Sequence, residues 1–145
     1  MSAEEKGITA QPPKPMDLTT YENRAFDAYT QALADGKYTL LLFSKHHHVN
    51  GFAKTMHQRL EDPELAIYSA YFVAALVDEA RDEGGEKLAK ALDIQRYPTV
   101  IVLKTHMDKL HVVGRIEGVF NTDDIDSVLR ESLMDPNVKE KREES

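Results

Sequence analysis

The sequence predicts an α/β domain, a three-layer sandwich with a central mixed four-stranded sheet and helices on both faces. Three observations carry this reading. Apolar runs of strand length alternate with segments whose apolar residues recur at helical spacing. The last two strand-like runs are joined by a short turn, which makes them a hairpin and the sheet mixed. The chain of 145 residues is 41% apolar, with six Tyr and five Phe, enough for one core and too little for two.

The elements follow in order. Residues 1–17 read as a disordered tail, because Gln11-Pro12-Pro13-Lys14-Pro15 favours extended polyproline and little before it can pack. Thr19-Thr20-Tyr21-Glu22 offers a capping box. Phe26, Tyr29 and Leu33 then mark the expected core face of a helix that Gly36 stops. Tyr38 to Phe43 is a near-continuous apolar run, as in a strand buried on both faces. After a polar stretch from Ser44 to Asn50, Phe52, Met56 and Leu60 give a second helix that ends before Asp62-Pro63. Pro63 can open a further turn of helix through Tyr68.

Tyr71 to Val77 is the next buried strand, ending at Asp78-Glu79. Gly84-Gly85 precedes a short helix from Glu86 to Leu92, and Pro98 to Leu103 is a third strand. The turn Thr105-His106-Met107-Asp108 leads to a fourth strand, Lys109 to Glu117, in which Leu110, Val112, Gly114 and Ile116 share one face. Asn121 or Thr122 caps a last helix with Ile125, Val128, Leu129 and Leu133 on one side. The domain thus spans 18–134, and the polar residues 135–145 read as a second disordered tail.

Composition removes several classes of function. Eighteen basic against 25 acidic residues give a net charge of −7, which argues against nucleic acid as a partner. No apolar run reaches the roughly 18–20 residues of a membrane span. Met1-Ser2-Ala3-Glu4-Glu5-Lys6 lacks the basic and apolar regions of a signal peptide, so a cytoplasmic location is expected, or a periplasmic one if a leader precedes the given chain. Zero Cys excludes disulfides, a thiolate nucleophile and thiol-ligated metal.

The order α-β-α-β-α-β-β-α, with its punctuation residues, resembles thioredoxin over residues 18–134. Leu40-Leu41-Leu42-Phe43 resembles the strand before that family's active-site loop. Ala53-Lys54-Thr55-Met56 is similar to the start of the following helix, where the family often reads Cys-Lys-x-Met. Arg96-Tyr97-Pro98-Thr99-Val100 resembles the family's Pro-Thr signature, and Gly118 has a counterpart near the end of the last strand. The passage Leu60-Glu61-Asp62-Pro63-Glu64 resembles bacterial thioredoxin-like proteins of the thiol-reductase type. The resemblance implies a cis bond before Pro98 and an extended peptide pairing beside it. It also implies a Cys-x-x-Cys between about His48 and Ala53, and neither Cys nor the usual Trp is present.

Thiol–disulfide exchange needs a thiolate, so the expectation is a redox-inactive domain that binds or scaffolds protein or peptide partners. Its contact face is expected at His46, His47, His48, Val49, Asn50 and Gly51 together with Tyr97, Pro98 and Gly118. No catalytic residue is nominated and no cofactor is expected. The second reading, and the main alternative from another class, is an enzyme of non-thiol chemistry on the same scaffold. A third reading takes His46 and His48 with Asp78, or Glu79 beside it, as a metal site, since imidazole suits Zn, Cu and Ni. Consecutive extended residues point in alternate directions, so at most two of the three histidines reach one ion.

Overall fold

The computed structural model describes residues 15–18, 24–45, 51–79, 84–106, 109–118 and 120–134. The order is α1 (Arg24–Asp35), β1 (Tyr38–Ser44), α2 (Gly51–Leu60), a 3₁₀ helix (Pro63–Ala70), β2 (Phe72–Asp78), α3 (Gly85–Ala91), β3 (Thr99–His106), β4 (Lys109–Glu117) and α4 (Thr122–Leu133). The expected capping box at Thr19–Glu22 and both tails beyond residues 15 and 134 lie outside the described residues; of the expected turn Thr105–Asp108, Thr105 and His106 belong to β3, and Met107 and Asp108 lie outside the described residues.

The sheet runs β2-β1-β3-β4. β1 is parallel to β2 and antiparallel to β3, and β3 is antiparallel to β4. Every residue of β1 and of β2 is buried, which requires cover on both faces. Leu40, Leu42, Ala74, Leu76, Val100 and Val102 face α2 and α4, where Met56, Leu60, Ile125 and Leu129 meet them. Leu41, Phe43, Ala75, Val77, Ile101 and Leu103 face the other way, onto Ala28, Ala32 and Ala89. Burying one such Leu, Ile, Phe or Met contributes about 1.5–3 kcal/mol, so the two cores dominate the fold's stability.

Several expectations are corrected. The buried face of α1 is Ala28 and Ala32, whereas Phe26 is 63% exposed and Leu33 49% exposed. Small side chains let the helix axis approach β1 and β2, and that approach turns the large residues outward. Phe26 instead flanks an apolar cavity of about 290 Å³ between α1 and α3, with Tyr29, Leu88, Leu103 and Leu110 on its walls. In β4 the register slips beside Val102 and Leu103, which pair with Gly114 and Val112 and leave Val113 extra. This bulge splits the expected face. Gly114 and Ile116 lie opposite Val102 and Val100, but Leu110 and Val112 go with Thr105 and Leu103 on the α1 side and are exposed.

The segment from Pro63 is a 3₁₀ helix and continues to Ala70; Asp62 caps it through the Glu64 N–H. Strand β2 begins at Phe72, one residue after the expected start, with Tyr71 exposed. The packed chain also reaches back to Met16, which is buried with Leu18 although it falls inside the expected tail. The Leu18 carbonyl accepts from Leu76 N–H at 3.0 Å, so this segment covers part of the outer edge of β2. Glu61 holds it from below, its Oε2 accepting from Leu18 N–H at 3.0 Å.

Candidate functional site

Strand directions gather the candidate residues. β1 and β2 end side by side, Ser44 opposite Asp78, and Glu79 N–H donates to the Ser44 carbonyl at 2.9 Å. β3 begins at that same end, with Thr99 opposite Phe43, and β4 finishes there, with Glu117 opposite Thr99. His106 and Lys109 pair at the far end of the sheet.

The approach to Pro98 is built by the end of α3. Asp93 has φ +57°, and the Ile94 and Asp93 N–H groups donate to the Ala89 and Lys90 carbonyls, closing the helix in a Schellman turn. Arg115 fixes that turn to β4: its guanidinium donates to the Leu92 carbonyl at 2.8 Å and the Asp93 carbonyl at 2.6 Å. The Thr99 hydroxyl then donates to the Arg96 carbonyl at 2.6 Å, and the Tyr97–Pro98 peptide bond is cis. Gly118, at φ +86°, turns the end of β4 so that its N–H donates to the Pro98 carbonyl at 2.7 Å. Between these two satisfied carbonyls, Tyr97 keeps its own N–H and C=O. Among the described residues no backbone group pairs with either.

The Tyr97 ring packs against the α1–α3 core face, and the Lys45 ammonium lies 5.0 Å from its centroid. Burial pushes the Tyr97 hydroxyl well above the ordinary tyrosine range, and its hydrogen bond to the Glu79 carboxylate, with the negative charge of Glu79 and Glu86, adds to that. One Glu79 carboxylate oxygen, Oε2, and the Ser44 hydroxyl are buried and have no hydrogen-bond partner among the described residues. Asp78 and Thr99 are buried beside them.

Of the expected contact face, Tyr97, Pro98 and Gly118 are therefore neighbours, and Gly51 opens α2. His46, His47, His48, Val49 and Asn50 lie outside the described residues, as does the side chain of Phe52. Among the described residues no three His, Asp or Glu side chains group as metal ligands. His57, on α2, contacts Glu61 Oε2 at 3.2 Å. Sequence reasoning left out Lys45 and the Tyr97–Glu79 contact. Lys45 follows β1 in the same alternation as Leu41 and Phe43, which was a usable signal; the Glu79 contact joins separate elements and leaves none.

No protein-family model matches the chain, and no curated protein matches it. Solved structures do. A thioredoxin from Thermus thermophilus is 26% identical, with a TM-score of 0.67 over 80% of this chain and 87% of that one. A DsbH oxidoreductase is 12% identical, with a TM-score of 0.64 over 86% and 89%. A Trichomonas vaginalis thioredoxin is 14% identical, with a TM-score of 0.56 over 83% and 98%. The chain has the thioredoxin-like fold. It carries that fold without any cysteine, and so without a Cys-x-x-Cys motif. Among the described residues no helix is long and apolar enough to cross a membrane.

Proposed function

We propose that this domain is a redox-inactive binding module that takes an extended peptide segment of a protein partner at the Tyr97–Pro98 end of its sheet. The observation that carries the reading is the Tyr97 main chain, whose N–H and C=O no described backbone group occupies. A strand-like peptide pairs with such groups through its own backbone and needs no thiol to do so. Gly118 stands beside this segment, and its missing side chain leaves room for close approach. Thioredoxin-type exchange is closed to the chain's own side chains because a mixed disulfide needs a sulfur atom from each partner.

The test is binding of the protein to an array of immobilised blocked peptides, with Tyr97→Pro, which removes the main-chain donor, beside the wild type. Peptides selected by the wild type should lose most of their signal with Tyr97→Pro, while Lys109→Ala binds them as before. Equal binding by all three proteins would place the peptide elsewhere, and the reading would fall.

A further inference from the structure

Resting on the peptide-binding reading, we infer that the segment paired at Tyr97 presents an arginine or lysine whose cation docks against the Glu79 carboxylate beside the Tyr97 ring. Glu79 is fixed in place by its N–H bond to the Ser44 carbonyl. Its Oε2 is buried and accepts no hydrogen bond from the described residues. A buried acceptor without a donor is destabilising, and more so when it is charged. A guanidinium or ammonium group brings only donors and the opposite charge, so it answers both deficits at once.

The surrounding groups favour the same sign. Asp78 precedes Glu79, and Glu86 on α3 acts on the same tyrosine hydroxyl. Against these carboxyl groups stands Lys45, whose ammonium lies over the Tyr97 ring. An acidic peptide side chain here would face Glu79 and Glu86. A neutral amide would supply a donor but no charge. The net charge of −7 further favours encounter with cationic segments.

The experiment uses three pools of blocked decapeptides, random except for a central Arg, Gln or Glu, titrated into the isotope-labelled full chain. Amide shifts at Tyr97 and Gly118 report whether a peptide occupies the site at all. The Arg pool should bind about tenfold more tightly than the Gln pool, and the Glu pool should bind weakest. Glu79→Gln should bring the affinities of the Arg and Gln pools together. Raising salt from about 50 to about 500 mM should narrow the same gap in the wild type, a check that needs no variant. If Arg and Gln pools move the Tyr97 amide with equal affinity, the charge preference is wrong and the backbone reading stands. If no pool moves Tyr97 or Gly118, both readings fail together.

Discussion

Gly118 donates its amide hydrogen to the Pro98 carbonyl at 2.7 Å, and this bond adds a final link to the β3–β4 ladder immediately beside Tyr97. The ladder stops there. Thr99 has its partner in Glu117 and Pro98 has its partner in Gly118, while no described backbone group pairs with the next residue back, Tyr97. The end of the sheet therefore presents a short open edge, held by the Arg115 contacts to the turn after α3.

The protein should not accelerate disulfide reduction. Reduction of insulin by dithiothreitol should run at one rate with the protein and without it, because no cysteine can form the mixed disulfide. A concentration-dependent acceleration would contradict this.

Gly114→Ala should destabilise the fold by about 1–3 kcal/mol, measured by urea unfolding. The added Cβ meets Ser132 Oγ inside van der Waals contact, with Val128 Cγ1 at 3.1 Å and Val102 Cβ at 3.3 Å. Ser132 cannot yield easily, since it is fully buried and its hydroxyl donates to the Val128 carbonyl at 2.7 Å. Combining Gly114→Ala with Ser132→Ala should recover part of the loss. A neutral single substitution would show that α4 and β4 are less closely packed than described.

Asn121→Ala should cost about 1 kcal/mol, read from the same unfolding curves. The Asn121 side chain accepts from Asp124 N–H at 2.8 Å, and the Asp124 carboxylate accepts from Asn121 N–H at 3.0 Å. Thr122→Ala should cost less, because Thr122 is the first residue of α4 and Asn121 is its cap.

Tyr68 and Tyr97 should ionise later than free tyrosine in an alkaline titration followed by phenolate absorbance. Burial raises Tyr68 first, and its hydrogen bond to Asp126 Oδ1, at 2.7 Å, raises it further. Burial and Glu79 act in the same direction on Tyr97. Both folded-state values lie above the unfolded value of 10.0, so the stability they contribute is complete below that pH and is lost as pH rises through the folded values. Stability should accordingly fall on the alkaline side above pH 10 and change little from these groups below it. Tyr68→Phe and Tyr97→Phe should each remove one late-titrating phenol.

The parts of this fold that were legible in sequence are those where one residue type answers one environment. Leu40 to Phe43 and Val100 to Leu103 are apolar on both faces because helices cover both, and Ile125 and Leu129 are buried where their spacing places them. Helix α1 misled because Ala28 and Ala32 carry a weaker hydrophobic signal than Phe26 and Leu33, although close packing on β1 and β2 favours the small residues. The β4 bulge was hidden because it changes register without changing composition, and one added residue swaps every later face. At the site, Tyr97, Pro98 and Gly118 stood out as punctuation. Glu79 was singled out only as a metal ligand beside Asp78, since its contact is with a tyrosine 18 positions away that only the folded chain brings to it.

The central claim, that a peptide pairs with the Tyr97 main chain, is tested most directly by hydrogen exchange at the Tyr97 amide. With no described backbone acceptor, that N–H should exchange readily in the free protein, unlike the buried ladder amides of β1. Adding a bound peptide should slow Tyr97 exchange while amides near Lys109–His111, at the far end of the sheet, stay unchanged. A saturating peptide that leaves Tyr97 exchange as it was and protects the far end instead would contradict the account.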